Sequence, residues 1–235
     1  MPIESISTLA HLFDLTSSEF FTSSRGQWVF RGHSNEDYQL KPSVGRGGHT
    51  SETDAKYEES LFQIFQREAG MYMNPEPANE WEWLAVAQHH GLPTRLLDWT
   101  HNPLVALYFA ASAHSDRNGE VFALNARTKA SGRVMAASPF AIAKPVKYYP
   151  NIVSPRIRAQ EGLLVACSDI SAPLDQALRA DWSIRKLQVP ATAKERLRYE
   201  LYRLGVHQSS LFPDVDGLAG RIRWQHTASP LEGRR

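Results

Sequence analysis

The sequence predicts an α+β fold in a single domain. Apolar residues recur at helical spacing within Thr53–Ala69, Trp81–Gln88 and Lys194–Leu204, while Gln27–Gly32, Glu120–Asn125, Arg156–Cys167 and Ile184–Val189 have strand composition, in no regular alternation. No repeat, heptad run, low-complexity tract or linker divides the 235 residues. A chain of this length buries roughly 70% of the surface its unfolded form exposes, enough for a true core.

The elements follow in order. Leu9, Leu12, Phe13 and Phe20 suggest one or two short N-terminal helices. In Gln27-Trp28-Val29-Phe30-Arg31-Gly32, an extended strand turns Trp28 and Phe30 to one side and Val29 and Arg31 to the other. The arginine therefore leaves opposite the aromatics, at the strand's end. Tyr38–Pro42 is a second short extended piece, followed by a turn-rich loop through Gly45, Gly47 and Gly48. Tyr57, Leu61, Ile64, Phe65 and Glu68 mark a helix that Asn74-Pro75-Glu76-Pro77 stops. Trp81, Leu84, Ala85 and Gln88 mark the next, with His89 and His90 in its last turn before Gly91 and Pro93. Asn102 before Pro103 reads as an N-cap and first helical proline, opening an apolar and therefore central helix through Ala111. Arg156–Cys167 reads as one long strand, with Glu161 on the apolar face of Ile157, Ala159, Leu163 and Val165 and Gln160 on the other. Gly162 offers a place for a bulge that would redirect one of the pair. Lys194–Leu204 is an amphipathic helix ended by Gly205, and Asp214–Trp224 is the last helix.

Lys and Arg number 26 against 25 Asp and Glu, a formal charge of +1, which excludes a global basic field for nucleic acid but leaves room for a local basic groove. The single cysteine, Cys167, excludes an internal disulfide and a multi-cysteine metal site. With no basic leader and no long apolar run, the expectation is a soluble, cytoplasmic protein with no membrane partner. Walker, Rossmann and GxSxG patterns are absent.

Chemistry concentrates in His89-His90-Gly91-Leu92-Pro93-Thr94-Arg95-Leu96-Leu97-Asp98-Trp99-Thr100, polar groups among apolar neighbours in what reads as a connection between two helices. Capping by Asp98 or Thr100 and pairing of Arg95 with Asp98 would explain these residues structurally. Phe30-Arg31-Gly32 together with the run from Gln88 to Ala110 closely resembles the FRG domain family, which is named for the first tripeptide. Ser154-Pro155-Arg156-Ile157 through Gln160-Glu161-Gly162 is similar to that family's third motif, and Leu211-Phe212-Pro213-Asp214 with Asp216-Gly217-Leu218 to its C-terminal signature. The resemblance spans residues 25–224, leaving 1–24 as an N-terminal helical segment and 225–235 as a tail.

The order of these motifs resembles, in turn, the ADP-ribosyltransferase fold. That resemblance implies split β-sheets with flanking helices, NAD as the substrate, and a transferase or NAD glycohydrolase of toxin or antiviral-defence type. On it Arg31 and Gly32 match the first-strand arginine and glycine, Thr100 the hydroxyl of the middle motif, and Gln160 or Glu161 the last position. His89, Thr94, Arg95, Asp98 and Trp99 complete the candidate nucleotide-binding set. Breaking the nicotinamide–ribose bond builds positive charge on the sugar, so such a site needs a carboxylate near the ribose and a cation near the pyrophosphate. An arginine suits the second role through its planar fork of donors. The acceptor stays open between protein, nucleic acid and small molecule.

Two other readings stand beside this one. A non-catalytic sensor would hold a nucleotide or nucleic-acid end through Arg31, Arg95 and His89. A metal-dependent hydrolase would use His89, Asp98 and His101, although adjacent histidines rarely share an ion and no HExxH spacing occurs. A shared site requires Arg31, His89, Asp98, Thr100 and Gln160 or Glu161 to converge on one cleft.

Overall fold

The computed structural model describes residues 4–18, 28–47, 51–127, 129–151 and 154–227. Seven strands form one mixed sheet: β1 (Glu4–Ser5), β2 (Trp28–His33), β3 (Leu96–Thr100), β4 (Gly119–Asn125), β5 (Val146–Tyr148), β6 (Gly162–Ala166) and β7 (Ser183–Val189). Their order is β1-β7-β4-β2-β3-β6-β5, with β1 parallel to β7 and every other neighbouring pair antiparallel. The fold is α+β, as the sequence predicts. The N-terminal segment adds a strand to its expected helix, α1 (Leu9–Ser17), because Glu4–Ser5 extends the sheet edge.

Strand alternation divides the interior. Trp28 and Phe30 of β2 join a core built with α4 (Pro103–Ala111) and α7 (Ala191–Arg203), while Val29 joins a second core on the opposite face with Leu97, Trp99, Leu163 and Val165. A third core lies on the first face, where Leu96, Leu164 and Ala166 meet Trp81 and Leu84 of α3 (Glu80–His89) and Phe62 of α2 (Ser51–Ala69). Strand β4 is buried along its whole length, as a central strand should be. Helix α4 begins as expected, with Asn102 Oδ1 accepting from Leu104 N at 3.0 Å and proline in the first turn. It lies so close to β2 that a Cβ on Gly32 would sit 1.9 Å from the Ala106 carbonyl oxygen, so only glycine permits this packing.

Three expectations need correction. The polar run after His90 is not wholly a connection: Leu96–Thr100 is a strand whose neighbours Leu97 and Trp99 are buried on one side of the exposed Asp98. Tyr38–Pro42 forms no strand. Arg156–Cys167 is not one strand, because Ser154 Oγ accepts from Ile157 N at 3.1 Å and Pro155 follows it, starting the short helix α6 (Pro155–Ala159) ahead of β6. This N-cap and proline signal outweighs the strand composition of the residues after it. Between the two, Glu161 sits in the left-handed region at φ 48° and is exposed, not packed among apolar neighbours.

Short helices α5 (Gly132–Met135) and α8 (Gln208–Leu211) and the longer α9 (Val215–Thr227) complete the described chain. Helix α9 runs three residues past the expected end at Trp224, and the tail beyond Thr227 lies outside the described residues. Among the described residues no helix is long and apolar enough to cross a membrane.

One buried ion pair fixes the start of β3. Arg95 gives its backbone N–H to Glu58 Oε1 at 2.6 Å and its Nε and Nη2 to Oε2 at 2.9 and 2.8 Å, and its Nη1 donates to the carbonyls of Pro139 and Phe140. Both side chains are almost fully buried, at 3% and 1% exposure. Removing one partner of such a pair strands a charge in the interior, a loss of about 3–5 kcal/mol. Glu58→Ala is therefore expected to lower the unfolding free energy by that amount, read from urea denaturation. The double variant Glu58→Ala/Arg95→Met should recover part of the loss, as read in the same denaturation curves.

Candidate functional site

The site originates where the sheet opens. Strands β2 and β3 pair only at Phe30 and Thr100, whereas β2 pairs with β4 from Trp28 to His33 and β3 with β6 from Leu96 to Thr100. Past that single pair the two strands splay, leaving backbone groups of β3 without a ladder. Arg31 supplies one partner: its Nη1 donates to the Asp98 carbonyl at 2.6 Å and lies 4.0 Å from Asp98 Oδ2. Its Nε donates to His33 Nε2 at 3.1 Å. Because Nε2 accepts, the His33 proton is on Nδ1, which donates to the Tyr38 carbonyl at 3.2 Å.

Over this seam lies a cleft of about 320 Å³, on the sheet face between the first and third cores. Phe30, Arg31 and Gly32 of β2 and Asp98, Trp99 and Thr100 of β3 form its floor. Helix α4 contributes Val105, Ala106 and Phe109 to one wall; α3 contributes Ala85, Gln88 and His89 to the other. Arg156, Ile157 and Gln160 from the α6 segment, with Leu164 and Phe212, complete the lining. Small-molecule sites have this form: apolar walls with a few convergent polar groups.

Asp98 is the only carboxylate lining the cleft among the described residues, and its side chain is 62% exposed. Gln88 Nε2 donates to its Oδ2 at 2.9 Å, and Gln88 Oε1 in turn accepts from Thr94 Oγ1 at 2.5 Å. Thr94 is thus a buried anchor for Gln88 and not a lining residue. Burial, with Arg156 and His90 nearby, pushes the His89 imidazole below its usual range, so it is neutral at pH 7. Burial pushes the Cys167 thiol up to about 12, which keeps it protonated and unreactive.

The structure brings Arg31, Gly32, His89, Asp98, Trp99, Thr100 and Gln160 to this one cleft. Arg95 is not there, because Glu58 engages it in the interior. Glu161 is not on the lining either: Asn102 Nδ2 donates to its Oε1 at 3.0 Å. Thr100 lines the cleft with its hydroxyl already engaged, donating to the Gln160 carbonyl at 2.6 Å and accepting from Asn102 N at 3.0 Å. Gln160 Nε2 donates to the Leu211 carbonyl at 3.1 Å. His101 bonds Tyr149 OH at 3.2 Å and stacks on its ring, away from the lining. No three His, Cys, Asp or Glu side chains among the described residues are placed to hold a metal ion.

Sequence reasoning passed over Gln88, Phe109, Arg156, Ile157, Leu164 and Phe212. Arg156 and Phe212 stand inside the motifs Ser154-Pro155-Arg156-Ile157 and Leu211-Phe212-Pro213-Asp214, a signal that pointed to them. Their role became visible only once α6 replaced the expected strand.

A splayed sheet with an arginine at its seam and a small-molecule cleft above it is the frame that the Phe-Arg-Gly tripeptide builds. Residues 26–119 match the FRG domain family. No curated protein and no solved structure matches the chain.

His33 ties this site to pH. Burial, reinforced by the Arg31 charge, pushes its pKa down to about 3 from the usual 6.5. Between those values the unfolded chain binds a proton that the folded one refuses, so stability is full above pH 6.5 and falls as pH drops toward 3. The expected slope from this group is at most about 1.4 kcal/mol per pH unit. Denaturant titrations from pH 4 to 7 should show a shallower slope for His33→Gln than for the wild type.

Proposed function

We propose that the cleft binds NAD and cleaves its nicotinamide–ribose bond, passing ADP-ribose to an acceptor or to water. One observation carries this reading: the Asp98 carboxylate is held by Gln88 beside the Arg31 guanidinium, on the floor of a small-molecule cleft with largely apolar walls. As the bond breaks, its electron pair leaves with nicotinamide and positive charge grows on the ribose. A fixed carboxylate facing that charge stabilises the transition state more than the ground state. Arg31 meets a phosphate of the same molecule through Nη2, which bonds no other group among the described residues. The acceptor oxygen or nitrogen closes the new bond and releases its proton to solvent.

The placement of Glu161 favours a second reading, a cleft that binds a nucleotide without turning it over. On this reading the carboxylate expected from the transferase resemblance is absent from the lining.

Purified protein incubated with NAD, alone and with cell extract, should release nicotinamide. Asp98→Asn should slow that release by about 10²–10³-fold, the usual consequence of losing one electrostatic stabiliser. Arg31→Ala should instead weaken NAD binding by at least tenfold in calorimetry. Binding with no nicotinamide released and no ADP-ribosylated product, in either incubation, would establish the second reading in place of the first.

A further inference from the structure

The cleft does not end at Arg156. It adjoins an outer chamber of about 300 Å³ lined by His89, His90, Ser154, Pro155, Arg156, Pro213 and Asp214, and both His89 and Arg156 belong to the two linings at once. The inner chamber alone stands at the lower end of the range for small-molecule sites, a fit for half of a dinucleotide.

Arg156 is built to meet an anion at this junction. Its guanidinium lies 4.7 Å over the Phe212 ring, a contact that holds the charge at the mouth of both chambers. Asp214 Oδ2 holds it by Nη2 alone, at 3.2 Å, with the two side chains 40% and 44% exposed. An exposed pair of this kind holds weakly, so an arriving phosphate redirects the guanidinium easily. Arg31 differs. Its Nε and Nη1 are already engaged by His33 and by the Asp98 carbonyl, so its remaining nitrogen suits one phosphate and not two.

We infer that Arg156 forms a second phosphate subsite, and that the adenosine-phosphate half of a diphosphate-linked dinucleotide passes His89 into the outer chamber. This rests on the NAD reading above. The carboxylate of Asp214 opposes the incoming charge, and its fixed place explains how: Oδ1 accepts from Gly217 N at 2.7 Å, capping α9. Asparagine would keep that cap and remove the charge.

Calorimetry with two probes tests the assignment. Nicotinamide mononucleotide carries one phosphate and occupies the inner chamber; ADP-ribose carries two and reaches Arg156. Arg156→Ala should weaken ADP-ribose at least tenfold and leave nicotinamide mononucleotide within twofold, which also shows that the variant is folded. Asp214→Asn should tighten ADP-ribose two- to fivefold, and Arg31→Ala should weaken both probes. Equal loss of both probes in Arg156→Ala, no loss of either, or no gain in Asp214→Asn would overturn the second subsite while leaving the NAD reading in place. Failure of the wild type to bind either probe would overturn both.

Discussion

The hydrogen bond from Arg31 to the Asp98 carbonyl is the interaction around which this site is organised. Splayed strands leave polar backbone groups that must find partners. An arginine inside β2, and not at the strand's end as the sequence suggested, supplies the donor one residue past the last β2–β3 pair, and in doing so brings a cation to the floor of a cleft. The same residue therefore closes the sheet electrically and opens a binding site. Its neighbours serve it: neutral His33 accepts from Nε, and Gly32 allows α4 to approach the strand.

Much of the fold was legible because local signals were strong and agreed with one another. Asn102-Pro103 announced α4, Gly205 ended α7 at φ 82°, and alternation in Trp28–Arg31 assigned each side chain its face. The failures came where two signals competed. Leu96–Thr100 is a five-residue strand masked by the polar residues around it, and Ser154-Pro155 started a helix inside what read as continuous strand. Strands β1 and β5 are two and three residues long, too short for a period to register.

The site was legible in composition and less so in roles. Arginine, aspartate, histidine and threonine in one apolar run looked like a single cluster, yet adjacent positions went to different tasks. Arg95 became part of the interior, Thr94 an anchor for Gln88, and Asp98 a lining group. Such sorting depends on partners distant in sequence: Glu58 for Arg95, Arg31 for Asp98 and Asn102 for Glu161. No spacing rule in a single sequence contains them.

The two walls of the cleft stand on different cores, one centred on α4 and α7 and the other on α2 and α3, and the strands beneath them share a single ladder pair. Stiffness is therefore uneven. Spreading the seam breaks one pairing and the bond from Arg31 to the Asp98 carbonyl, whereas shearing either half breaks a full ladder. A ligand reaching from Arg31 to Arg156 would span this compliant direction and act as a cross-brace. Occupancy and rigidity would rise together, and the folded state would gain stability in proportion to the logarithm of ligand concentration.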